Sequence, residues 1–114
     1  MLKNNLTDLP TSPTHAILKA FGKKVRGVYP KARIWAFGSY VRGTASAESD
    51  LDICVVIPQM YPEDRLAISD MAWEVGFAHD LHISTVVFSD IDFMHGPVSA
   101  SPLLDGIRSE GVAA

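Results

Sequence analysis

A single cysteine, Cys54, stands among 114 residues, so no disulfide can form within the chain. No unbroken apolar stretch approaches the ~20 residues that a membrane-spanning helix needs. The opening Met1-Leu2-Lys3-Asn4-Asn5 lacks the apolar run of a signal peptide. These absences set the expectation of a cytoplasmic protein without a membrane partner, in which Cys54 is a small buried hydrophobe rather than a reactive thiol. Positive charge is in short supply too. The net charge of -3 speaks against a general nucleic-acid coat, so no direct nucleic-acid binding is expected. The basic residues are nonetheless uneven: Lys19, Lys23, Lys24, Arg26, Lys31 and Arg33 fall in one segment that contains no acid. They are expected to form the solvated face of a helix and the turn after it.

What is present fits an ordinary globular chain. Hydrophobic residues make up 47% and charged residues 20%, enough for one core. A length of 114 residues supports one domain over residues 1–114 and no separate substrate domain. Residues 1–11 carry Asn, Thr, Pro and Asp without a period and read as a loose arm. Ser12-Pro13 is a helix start, with Ser as cap and Pro in the first turn. Ile17, Leu18, Phe21, Val25 and Val28 then recur at helical spacing until Tyr29-Pro30 stops the run. A first strand is predicted from Arg33 to Phe37, then a short helix through Arg42 and a loop from Gly43 to Ser49. A second strand runs from Asp50 to Ile57.

Pro62, Glu63 and Asp64 suit a helix N-terminus. Leu66, Met71, Trp73, Val75 and Phe77 carry that helix to about Ala78, with Trp35, Trp73 and Phe77 read as core. Leu81 to Phe88 is the third strand, residues 89–100 read as loop, and Ser101-Pro102 caps a last helix closed by Gly111. The order predicts an α/β (α+β) fold, a small mixed sheet of three or more strands flanked by helices.

The chemistry concentrates in residues 37–57. Asp50 and Asp52 open an apolar run that otherwise reads as a buried strand, where Asp is disfavoured. An unpaired buried carboxylate costs several kcal/mol or gives up its charge. Spacing of two places both acids on one face of a strand, and a cation between them would offset their repulsion. Upstream, Ile34-Trp35-Ala36-Phe37 runs into Gly38-Ser39, a strand ending in a glycine turn whose free N–H groups can hold phosphate. An anion cradle beside metal-binding carboxylates describes a nucleoside triphosphate site. Magnesium suits it, because that ion is typically held by one or two carboxylates together with substrate phosphates. Arg42, one turn into the short helix, is a candidate for the triphosphate. Ser49 either caps its loop or supports Asp50. Four histidines are scattered, and His79 and His82 read as surface or half-buried residues bordering the site.

Gly38, Ser39, Arg42, Gly43, Ser49, Asp50 and Asp52 resemble the signature of the nucleotidyltransferase superfamily related to DNA polymerase beta. More closely, the chain looks like the minimal MNT-type branch. The resemblance implies a nucleotidyltransferase fold, with Asp50 and Asp52 holding magnesium and Gly38, Ser39, Arg42 and Ser49 holding ATP. It also implies transfer of a nucleoside monophosphate to an acceptor hydroxyl, on a helical HEPN-type toxin partner for which the chain is the antitoxin. Active relatives carry a third acid on the third strand. Here Ser84 falls at that place in Leu81-His82-Ile83-Ser84-Thr85, and Asp80 lies at the strand entrance on the same face as Ser84. Asp80 is therefore read either as a surface residue that ends its helix or as the candidate third catalytic acid. Two other readings stand beside this one: a small-molecule nucleotidyltransferase resembling aminoglycoside-modifying enzymes, and a catalytically weak nucleotide-binding module that acts by binding a partner. A homo-oligomer is compatible with each.

Overall fold

A computed structural model describes residues 13–114; the expected arm and the Ser12 cap lie outside the described residues. Helix α1 (Pro13–Val28) buries Ile17, Leu18, Phe21 and Val25, four of the five residues on the stripe that its spacing predicts. Strand β1 (Arg33–Phe37) follows, then the single-turn helix α2 (Ser39–Arg42), strand β2 (Leu51–Ile57), helix α3 (Pro62–Ala78) and strand β3 (Ile83–Ser89). Next come helix α4 (Asp90–Met94), a 3-10 turn (Pro97–Ala100), helix α5 (Pro102–Glu110) and a two-residue strand, β4 (Val112–Ala113).

The strands form one mixed sheet in the order β3-β2-β1-β4. Strand β2 lies antiparallel to β1 and parallel to β3, and β4 lies antiparallel to β1. Helices cover both faces of this sheet. On one face Leu51, Ile53, Val55 and Ile57 join Ile34 and Ala36 against α1 and α3. On the other, Cys54 and Val56 pack with Phe93 of α4 and with Leu104 and Ile107 of α5. Strand β2, interior and covered twice, is apolar without alternation for this reason. Fully burying each of its Leu, Ile and Val side chains contributes about 1.5–3 kcal/mol. The basic segment is largely solvated, as expected, although Lys24 pairs with Glu74 and Arg33 with Asp90, each at 2.8 Å, and Arg26 turns back to donate to the carbonyls of Ala32 and Ala114 at 3.1 and 3.2 Å.

Three expectations are corrected. Residues 89–100 are not plain loop: Ser89 Oγ accepts from the Asp92 N–H and starts α4, whose Phe93 is a core residue. Val28 is not part of the buried stripe of α1 but is 60% exposed. Gly111 closes α5 as expected, with an extended backbone (φ -62°, ψ 143°) that leads straight into β4. Trp73 and Phe77 are not core. The sheet-facing side of α3 is Ile68, Ala72, Val75 and Gly76, which puts Leu66, Trp73 and Phe77 on the solvent side. No helix among the described residues is long and apolar enough to cross a membrane.

Candidate active site

The candidate residues collect at the end of the sheet where β1 finishes and β2 begins. Phe37, the last residue of β1, pairs with Asp52 on one side, and Ser84 of β3 pairs with it on the other. Asp52 is thus the second residue of the central strand, on the face that carries Cys54 and Val56. It is half-buried, and no hydrogen bond or salt bridge among the described residues engages its carboxylate. Burial holds the Asp52 carboxyl above its ordinary pKa, the charge of Asp50 raises it further, and Arg42 opposes them. A carboxylate kept near the sheet without a counter-ion in contact is a donor set that fits a divalent cation.

Asp50 lies just outside the strand and is exposed. His82 Nδ1 sits 3.2 Å from Asp50 Oδ1, and the Leu51 N–H donates to the His82 carbonyl at 2.9 Å. The parallel pairing of β2 with β3 makes this neighbourhood. With Asp52 opposite Ser84 and Leu51 opposite Ile83, His82 is carried up beside Asp50. His82 is a surface residue bordering the site, as expected, but its contact with Asp50 follows from the strand pairing and has no local signal in the sequence.

Gly38 is the hinge between β1 and α2. Its φ of 84° and ψ of -154° belong to a region that is essentially glycine's alone. A Cβ added there would lie 2.5 Å from Asp52 Oδ2. The turn therefore brings backbone against the carboxylate, which a side chain would block. Ser39 opens α2, with Val41 and Arg42 N–H groups donating to the Gly38 carbonyl at 3.1 and 3.0 Å. Arg42 is half-exposed and lies 3.7 Å from Glu110; it is close enough to Asp52 to lower that group's pKa. Ser49 Oγ accepts from the Ser46 N–H at 2.9 Å, so its hydroxyl is engaged in the loop.

Asp80 stands apart from the pair. It occupies the turn after α3 with φ 55°, the one described residue other than glycine in the left-handed region. Among the described residues no three His, Cys, Asp or Glu side chains gather as metal ligands. The structure therefore brings together Gly38, Asp50 and Asp52 with His82 and Ser84, and leaves Asp80 at the edge, on the β3 side. Cys54 is fully buried, and burial pushes its thiol up to about 12, which makes it inert.

The sequence model described as a nucleotidyltransferase domain matches residues 16–108. Two solved structures of the toxin–antitoxin pair MntA–HpeT are similar to the chain. One, a tyrosine-to-alanine mutant, is 28% identical over 84% of this chain and 69% of the other, with a TM-score of 0.59. The second, in which two aspartates are replaced by glutamate, is 25% identical over 83% of this chain and 69% of the other, with a TM-score of 0.57. Among curated proteins, none matches the sequence.

Proposed function

The chain belongs to the nucleotidyltransferase domain family, and from that premise we propose that it transfers a nucleoside monophosphate from ATP to an acceptor hydroxyl on a toxin partner of HEPN type, as the antitoxin. The observation that carries this reading is Asp52, a half-buried carboxylate in the central strand, without a counter-ion and pressed against a glycine turn. Asp50 and Asp52 would hold magnesium together with the substrate. When bound, the metal neutralises charge that develops on the transferring phosphate. Gly38 and Ser39 give the polyphosphate a backbone it can approach closely, and Arg42 supplies a cation one turn into α2. The acceptor oxygen attacks the α-phosphorus in line, pyrophosphate leaves, and the acceptor's proton departs on the β3 side, where Asp80 is the available carboxylate.

Titration calorimetry tests this reading. ATP binding is expected to require magnesium and to disappear in Asp52→Asn. Equal binding by both proteins, with and without the metal, would refute the site. The likeness to toxin–antitoxin structures supports a toxin as the acceptor.

A specific observation also favours the weaker-turnover reading. Ser84, not an acid, is the β3 residue opposite Asp52, so the chain that binds nucleotide well is expected to transfer it slowly unless the partner supplies the base. Labelled-nucleotide transfer measured with and without the partner separates the two.

A further inference from the structure

Helix α3 carries an apolar stripe that the fold leaves uncovered. Leu66, Trp73 and Phe77 are 66%, 63% and 75% exposed, and the two aromatic rings stack on one another at 5.0 Å and 7°. Spacings of seven and four put the three on one line of the helix. Such a stripe raises the free energy of the free chain in water, and fixed stacked rings on an exposed face mark an interaction site. Two features say what covers it. First, Trp73 and Phe77 form one wall of a cleft of about 460 Å³ whose other wall includes Asp80, Leu81 and His82. His82 is the residue 3.2 Å from Asp50, so the stripe runs without a break into the candidate active site from the β3 side. Second, two exposed acids on the rim next to the stripe, Glu63 and Asp70, lie in line two turns apart and make no ion pair among the described residues, whereas Glu74 beyond them is held by Lys24 at 2.8 Å.

We propose that this face of α3 is the seat of the acceptor protein: a helix from a different, basic-faced polypeptide, whose apolar side chains fill the Trp73–Phe77 cleft while its Lys and Arg residues meet Glu63 and Asp70. The inference rests on the reading that the acceptor is carried by a partner protein. A second copy of this chain fits poorly, because a two-fold through α3 would bring its unpaired Glu63 and Asp70 against their own counterparts. An anionic membrane or a nucleic acid fits poorly for the same reason, since the rim repels phosphate.

The test co-expresses the chain with the product of the adjacent reading frame and measures complex formation by size exclusion and binding by calorimetry. Trp73→Ala with Phe77→Ala is expected to weaken the complex at least tenfold, and Glu63→Gln with Asp70→Asn to weaken it by a smaller factor and reduce its salt dependence. Ile91→Ala, at a 67% exposed position on the opposite layer, is the control and should change nothing. Magnesium–ATP binding by the free chain should be the same in all of these variants. A photo-crosslinking residue at position 77 should label a basic helical segment of the partner. A complex equally tight with and without Trp73 and Phe77 overturns the docking surface and leaves the partner reading standing. Crosslinks to this same chain would make a second copy the occupant and overturn the proposal. A wild-type chain that forms no complex at all overturns the partner reading, and the docking surface with it.

Discussion

Gly38→Ala is the sharpest single perturbation of this site, because two separable costs meet at one atom. The backbone at Gly38 has φ 84° and ψ -154°; holding an alanine there costs about 1–3 kcal/mol. The new Cβ would also stand 2.5 Å from Asp52 Oδ2 and 3.4 Å from Asp52 Cγ, so the carboxylate must rotate or the turn must open. Together these should lower the unfolding free energy by about 2–4 kcal/mol, within the range that a domain of 5–15 kcal/mol survives. Removing the carboxylate isolates the second cost. In an Asp52→Ala background the remaining neighbour, Asp52 Cβ, is 3.5 Å away, which is an ordinary contact. Gly38→Ala should then cost only the backbone strain, leaving a coupling of about 1 kcal/mol or more between the two positions. Urea unfolding of the wild type, both single variants and the double variant measures it, with equal m-values required. A cost below about 0.5 kcal/mol in the wild-type background would refute the left-handed turn at Gly38. An equal cost in both backgrounds would refute the close approach to Asp52. Magnesium-dependent ATP binding should fall in Gly38→Ala, since the carboxylate cannot keep its place.

Three further outcomes follow from the same geometry. The folded-state pKa of Asp52 is raised, so its contribution to stability is fully present below its unfolded value near 3.8 and is lost as pH rises through the raised value; Asp52→Asn should flatten this limb in urea midpoints taken without metal, and magnesium should flatten it in the wild type. Ser84→Asp sets a carboxylate opposite Asp52 and should speed labelled-nucleotide transfer toward the 10²–10⁴-fold that general-base catalysis typically supplies, while fast wild-type transfer that vanishes in Asp80→Asn would show that Asp80 already does this. Phe93 is 4% exposed and stacks on Trp35 at 5.4 Å, so Phe93→Ala should cost about 3–5 kcal/mol in thermal or urea unfolding, and a cost under about 1 kcal/mol would mean that α4 is not a packed layer.

The reach of the sequence can be judged residue by residue. Strand β1 appears over Arg33–Phe37 as expected, because alternating burial and the Gly38 break are both local signals. Helix α5 begins where Ser101 caps it, again a local signal. The order of elements and the mixed sheet were legible for the same reason. Helix α4 and strand β4 were not, since neither is long enough to show a period; α4 exists because Phe93 packs on Trp35 and Phe88, and β4 because Val112 pairs with Ala36. Both are tertiary facts. Trp73 and Phe77 were misplaced for a different reason: the apolar residues of α3 were counted as one set. Sorted by helical position they divide into two lines, with Ile68, Ala72, Val75 and Gly76 toward the sheet and Leu66, Trp73 and Phe77 away from it. The smaller side chains face inward because α3 packs close to β3, where Gly76 meets the Leu81 carbonyl.

The His82–Asp50 contact is a tertiary fact too. Because β3 runs parallel to β2 with Ser84 beside Asp52, each step back along β3 accompanies one step back along β2. Leu51 then faces Ile83, and His82 comes up beside Asp50, as the structure shows. The same counting explains why the acids sit where they do and nowhere further along. One turn of the pleat inward from Asp52, Cys54 is fully buried against Phe93 and Leu104, and a carboxylate there would be desolvated beyond rescue by any bound cation. Asp52 is the deepest position on this face that still touches solvent, and Asp50 lies one pleat outside it. On the proposed function, a metal held between them would be open to phosphate from the end of the sheet, and an acceptor would come from the remaining side, past His82 and the exposed rings of α3.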